Sequence, residues 1–460
     1  PKTMTRVLVQ YVFLFSISVG TTHSYHRFPP KSSRPKKVLP SEETAKANGE
    51  YSYRSFLPRL LRTRSRWDAL ELIADRLLSA ESAAAVKMIR QILQHFQDHG
   101  IVDVMKQYPT KTVVLAIVAL SKLQRAASVF EEGSDLPQLQ IERDLIRRLA
   151  HYSVYASAAY GWTMEAALRG RLHMGNLQAL LKTTGIEPED VIKSAWESKT
   201  HRPAFFIVRD KKYRKVVLAI RGTLSPRDLL TDLCAAAESF ETDCPGNHRA
   251  HQGMLKAARC VADETANIID AELRANPDFS LVLVGHSLGG GVASVLGTLW
   301  EGKYPDLAVF SYGSPCVGPI DARPTTCQNM FSIIAEGDPF SCLSLGHIAN
   351  LSRAIAILCE DDELRNLINL QTDRSPDRMD VNDLQWCSDT MKSLRSNLTN
   401  ECLYPPGRTI IVKREFDSSV SMYEAPVSKF TDLRLHGRML DISRHVPSIY
   451  ESLLKDYLSQ

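Results

Sequence analysis

Long apolar runs are scarce, and the two stretches that stand out read as short for crossing a bilayer. They are Val7 to Gly20, interrupted by Gln10 and two serines, and the nine residues Thr112 to Leu120. The sequence also holds no C-x-x-C and no Cys/His spacing of the kind that binds a metal. Nine cysteines cannot all pair within one chain; Cys234 with Cys244 and Cys387 with Cys402 are the pairs an oxidising compartment would allow, and buried thiols are the alternative. A strong charge excess is missing as well. The net charge is +4, yet residues 26–66 alone carry a surplus of eight, and Lys2 and Arg6 add two, which leaves the remaining chain at −6. A slightly acidic body argues against a nucleic-acid groove.

What the sequence does contain is centred on Ser280 to Ser294. Leu281 to Val284 reads as a buried strand, Gly285-His286-Ser287-Leu288-Gly289 fits G-x-S-x-G, and Gly290 to Trp300 reads as a helix. Strand, sharp turn and helix are the setting of a nucleophile elbow, with the two glycines removing side chains where strand and helix would collide. Ser287 is then the candidate nucleophile, and the Leu288 N–H points towards a developing oxyanion.

The flanking chain divides by composition. Residues 1–25 read as a signal peptide or signal anchor, from the apolar stretch behind Lys2 and Arg6. Residues 26–66, rich in Pro, Ser, Lys and Arg, read as a basic disordered linker, with a transit-type sequence as the alternative. Residues 67–140 show helical periodicity, which predicts a helical region packed on the main domain. Residues 141–460 alternate strands and helices. A helix runs from near Gln140 to Ala159, Ala204–Val208 and Lys215–Ile220 form a hairpin, and a helix follows from His251 to Leu273. Strands come again at Leu307–Tyr312 and Met330–Ala335. This alternation predicts an α/β sheet covered on both faces. Asn350 and Asn397 begin glycosylation sequons that matter only on the secretory route.

A serine nucleophile needs a base, and the base an orienting acid. Asp338 fits the acid, since it follows the strand Met330–Ala335 in a Gly337–Pro339 turn; Glu336 and Asp321 are its rivals. His445, in the loop entering the last helix, fits the base, with His436 as runner-up and His347 too close in sequence to reach back. Thr223, after the strand ending at Ile220, offers a second oxyanion donor, with Ser225 and Pro226 starting a helix behind it.

These residues resemble a family. Arg221-Gly-Thr-Leu-Ser-Pro to Asp232, His251-Gln-Gly-Met254, Gly285 to Gly289, Tyr312-Gly-Ser-Pro315 and Asp338-Pro339 look like the class 3 (fungal-type) lipases, most of all the sn-1-specific diacylglycerol lipases. His151 to Trp162, Leu403 to Gly407 and Met439 to Pro447 resemble the opening helix and the C-terminal part of the same domain, so the likeness covers about residues 141–457. The spacing from Asp441 to His445 is two residues longer than the family pattern.

The resemblance implies an α/β-hydrolase fold with a mostly parallel sheet. It also implies Ser287, Asp338 and His445 as catalytic residues and Thr223 with Leu288 as oxyanion hole. The expected activity is hydrolysis of acylglycerol, above all diacylglycerol, esters, without metal or cofactor. A phospholipase A1 or galactolipase of the same fold is the nearest alternative, and an inactive lipid-binding protein the alternative from another class. The implied partner is a lipid substrate at a membrane or droplet surface, and the implied location is membrane-associated or secretory, with a plastid as the alternative. Finally, residues 346–402, between acid and base, depart from the alternation; such insertions are often lids, with a packed subdomain as the competing reading and Pro226 to Leu233 as a second lid candidate.

Overall fold

The computed structural model describes residues 107–133, 141–161, 175–223, 235–242, 246–320, 329–415, 417–435 and 442–460. The expectations for residues 1–25 and 26–66, the Cys234–Cys244 pair, the helix from Pro226 and the rivals Asp321 and His436 lie outside these residues.

An eight-stranded sheet forms the centre. Its first three strands, β1 (Val191–Ala195), β2 (Phe205–Asp210) and β3 (Lys215–Ile220), are antiparallel to one another, so the expected hairpin is present. A separate two-stranded ribbon follows, β4 (Ala237–Phe240) with β5 (His248–His251). The main sheet then continues with β6 (Ser280–His286), β7 (Ala308–Tyr312), β8 (Met330–Ala335), β9 (Arg408–Arg414) and β10 (Val420–Glu424). The spatial order is β1-β2-β3-β6-β7-β8-β9-β10, and β3, β6, β7, β8 and β9 are parallel. This is a mostly parallel sheet with antiparallel edges, an α/β-hydrolase fold.

Strand alternation sends neighbouring residues to opposite faces. Leu281 and Leu283 join the core on one face, Val282 and Val284 the core on the other. The first face is covered by α4 (Gln252–Ala275) and α5 (Leu288–Leu299), the second by α2 (Arg143–Ala158) and α9 (Pro447–Leu458), with α3 (Asn176–Thr184) packed on α2. Helices on both sides explain why β7 and β8 are buried at every position rather than alternating.

The insertion forms α6 (Leu345–Glu360), α7 (Asp362–Gln371) and α8 (Val381–Ser396). Two of its acidic residues are helix caps. Asp361 Oδ1 accepts from Leu364 N–H at 2.8 Å, and Asp380 Oδ1 accepts from Asn382 and Asp383 N–H. All three helices pack on α1 (Thr110–Gly133), whose Val113, Ile117, Leu120 and Leu123 are buried with Ile355, Leu358 and Ile368. This arrangement has the geometry of a packed subdomain, and the gating role expected of the insertion stays a proposal. By length and composition α1 can cross a membrane, which corrects the reading of Thr112–Leu120 as too short to span, yet 67% of its apolar window is buried in the fold, as the core-packing expectation holds.

Polar bonds tie this lobe to the chain that leads towards His445. Gln124 donates to Leu433 O and accepts from Leu435 N–H, Ser121 donates to Leu435 O, and Arg395 bridges Asp432 and Glu131.

Cys387 and Cys402 are free, buried thiols, which corrects the disulfide considered for them. Cys387 sits in the apolar core, and the Cys402 sulfur accepts from Asn350 Nδ2 at 3.2 Å. Asn350 is buried, with its amide engaged by Asn400 and Cys402, so its sequon is closed to a glycan, whereas Asn397 is exposed.

Candidate active site

The parallel register brings the carboxyl ends of β3, β6, β7 and β8 into one row, pairing Ile220 with Gly285, His286 with Tyr312 and Tyr312 with Ile333. Ligand sites of α/β sheets lie outside such ends, and the candidate residues gather there.

Ser287 joins β6 to α5 with φ 57° and ψ −133°, a backbone state L-residues rarely adopt. It persists because the surroundings fix it: Ser287 N–H donates to Tyr312 O at 2.8 Å, and Ser287 O accepts from Gly291 N–H at 3.1 Å. The flanking glycines are required by contact. A Cβ on Gly285 would lie 2.3 Å from the backbone of Gly289, and one on Gly289 would lie 2.3 Å from Ile220 O.

Ser287 Oγ lies 2.7 Å from His445 Nε2, and His445 Nδ1 lies 2.8 Å from Asp338 Oδ2. All three residues are buried. Asp338 caps the short turn Pro339–Cys342, its Oδ1 accepting from Phe340 N–H at 3.0 Å. Burial alone would raise its pKa, but His445, the Tyr450 hydroxyl and the Phe340 N–H outweigh that and hold it below the usual carboxylate value. The acid is therefore ionised, and His445 Nδ1–H donates to it. That leaves Nε2 to accept from the serine hydroxyl. His445 also packs its ring on Phe340, centroids 4.3 Å apart.

Leu288 opens α5, so its N–H belongs to the first turn, which has no intrahelical acceptor. Thr223 follows Gly222, where a Cβ would lie 3.2 Å from Ser287 Cβ. Leu288 thus follows the serine in the chain, and Thr223 follows the glycine that faces Ser287 Cβ. The rivals stand elsewhere: Glu336 pairs with Lys413, and His347 is buried between Ser344 Oγ and Phe430 O, each at 2.8 Å. Among the described residues no three His, Cys, Asp or Glu side chains group as metal ligands do.

Sequence reasoning gave no role to Tyr450, Tyr160 or His286. Tyr450 donates to Asp338 Oδ2 at 2.7 Å, and its oxygen accepts from Ala335 N–H at 3.2 Å. Tyr160 Oη lies 2.9 Å from His286 Nδ1. The only sequence signal for Tyr450 was its place five residues after His445; Tyr160 sits at the end of a helix with no local mark of its partner.

Known proteins share part of this sequence. Residues 217–345 match the family model of lipase (class 3). Diacylglycerol lipase-beta of Mus musculus is 33% identical over 196 residues, which are 36% of this chain and 29% of that protein. Secreted mono- and diacylglycerol lipase A of Penicillium cyclopium is 33% identical over 154 residues, 32% of this chain and 49% of that protein. Among solved structures, a mutant form of MDLA from Penicillium cyclopium is 25% identical and covers 45% of this chain and 76% of its own, with a TM-score of 0.37. The chain spans under a third of the length of the animal diacylglycerol lipases it matches. The matched segment runs from β3 through the turn at Thr223 and the serine elbow to Asp338 and the start of α6, and over it the chain is similar to the class 3 lipases.

Proposed function

We propose that the chain is a serine lipase that hydrolyses acylglycerol esters, diacylglycerol foremost, at a lipid surface. The observation that carries this is the hydrogen-bonded line from Ser287 Oγ through His445 to Asp338 Oδ2. Ser287 Oγ attacks the ester carbonyl while His445 Nε2 takes its proton. The negative charge that develops on the carbonyl oxygen is held by the N–H groups of Thr223 and Leu288. His445 then gives the proton to the departing glyceride oxygen, leaving an acyl-enzyme. Water repeats the sequence and frees the fatty acid. Throughout, Asp338 keeps the imidazole oriented and balances its charge.

The names of the relatives, a diacylglycerol lipase and a mono- and diacylglycerol lipase, support the choice of acylglycerol. A lipid surface as the place of action, and membrane association of the chain, follow from the same reading. The test is labelling of parent and Ser287→Ala proteins with a fluorophosphonate, followed by product analysis on mixed acylglycerols, phospholipids and galactolipids. The reading expects labelling and acylglycerol hydrolysis by the parent alone. Release of fatty acid from phospholipid or galactolipid instead would move the substrate class, and an unlabelled parent would point to an inactive lipid-binding protein.

A further inference from the structure

His286 stands between the strand and the serine, and its ring is enclosed. Nδ1 has Tyr160 Oη at 2.9 Å, but Nε2 is buried without a hydrogen-bond partner. A polar nitrogen left so costs about 1–3 kcal/mol, and native folds keep few of them. This one faces the base. A Cβ on Gly313 would lie 3.0 Å from both His286 Nε2 and His445 Cε1, and the two imidazole centroids are 4.8 Å apart.

Burial, and then the neighbouring His445, push the His286 pKa well below its ordinary value, so the ring is neutral. A neutral imidazole has one N–H and one lone pair. The Tyr160 contact at Nδ1 admits either tautomer; the one in which the hydroxyl donates to Nδ1 carries the proton on Nε2. The backbone of His445 is among the groups that act on this ring. Catalytic hydrogen bonds are often long in the empty enzyme and tighten when substrate binds.

We propose that Tyr160 and His286 form a positioning pair for the catalytic histidine, in which Tyr160 sets the tautomer of His286 and the Nε2–H of His286 holds the backbone of His445 against Ser287. The proposal rests on the reading of Ser287 and His445 as nucleophile and base. Neither member of the pair touches substrate. The pair also underlies the turn that carries Thr223: a Cβ on Gly222 would meet Tyr160 Oη at 2.6 Å and His286 O at 2.4 Å. One hydrogen-bonded unit thus supports both the oxyanion side and the base side of the serine.

The test separates the two ring nitrogens. The amide of Gln places its nitrogen where Nε2 lies, and that of Asn where Nδ1 lies. His286→Gln, His286→Asn and Tyr160→Phe are measured for kcat and KM on a soluble short-chain ester, for the rate of fluorophosphonate labelling and for thermal melting. The pair predicts that His286→Asn lowers kcat and labelling about tenfold, the equivalent of one lost hydrogen bond, with KM unchanged. It predicts that His286→Gln keeps most of kcat and that Tyr160→Phe falls between them. An active parent whose Asn and Gln variants behave alike overturns the pair and leaves the serine reading standing. A parent that neither hydrolyses nor labels overturns both. If the Asn variant does not fold, Tyr160→Phe decides, since it removes one oxygen atom; an unchanged kcat there overturns the pair.

Discussion

Tyr450 and Asp338 share a 2.7 Å hydrogen bond that ends on Oδ2, the same carboxylate oxygen that His445 Nδ1 reaches at 2.8 Å. The tyrosine is fully buried in α9, one turn into the helix that follows the histidine. Its oxygen is fixed in turn by Ala335 N–H at the end of β8. The carboxylate is therefore oriented from its own strand and from the last helix together. Tyr450→Phe keeps the ring and removes the donor, leaving the Ala335 N–H without its acceptor. The expected loss is about 1–2 kcal/mol of transition-state support, roughly tenfold in kcat, with KM held. Steady-state kinetics on a soluble ester check it, and an unchanged kcat would mean that the bond plays no part in orienting the acid.

Gly285→Ala is expected to destabilise the fold rather than only slow the reaction. The new methyl would lie 2.3 Å from the backbone of Gly289, where no flexible side chain can give way. Strand β6 and helix α5 would have to part at the elbow, at a cost of about 3 kcal/mol. Urea unfolding measures it; a midpoint equal to the parent's would show that the elbow is looser than the contacts imply.

Stability is expected to fall on mild acidification. Burial lowers the His347 pKa from 6.5 to about 4, while its Nε2–H donates to Phe430 O. Between those values the unfolded chain binds a proton that the folded chain refuses. The contribution is whole above pH 6.5 and is lost as pH falls towards 4, amounting to about 3 kcal/mol over the window. His286, shifted in the same direction, adds to the slope. Unfolding free energies at pH 7 and pH 4 for the parent and His347→Gln check this. The variant should show a clearly shallower decline, and equal slopes would contradict the assignment.

The insertion can be tested for gating directly. Replacing Ser352–Asn400 with a short Gly/Ser linker is predicted, for a lid, to speed cleavage of a soluble ester and to reduce dependence on an emulsified surface. A purely structural lobe predicts a different pattern, because the replacement uncovers Val113, Ile117 and Leu120 of α1. Both activities would then fall together with the melting temperature. Leu367, Leu370 and Val381, 40%, 73% and 67% exposed, are large apolar residues of the insertion that face outward.

By itself the sequence determined what local sterics and periodicity control. The apolar run Leu281–Val284, the spaced glycines around Ser287 and the Gly337–Pro339 turn after Met330–Ala335 each specify a short-range geometry, so the elbow and the strand carrying Asp338 were legible without any tertiary information. The helical spacing of the insertion was legible too, but its packing partner was not: α1 lies more than 200 residues earlier, and no periodicity names the surface a helix will cover. Strand order decided the site. Only when β3, β6, β7 and β8 lie side by side in register do the strand ends that lead to Thr223, Ser287 and Asp338 form one row. Only the path of α9 beneath them settles that His445 reaches the serine while Tyr450 reaches the acid. The same holds for Cys387 and Cys402, whose state depends on burial, and for Tyr160 and His286, which meet across 126 residues. Such contacts follow from chain crossings between distant segments, and a one-dimensional pattern holds no distance information of that range.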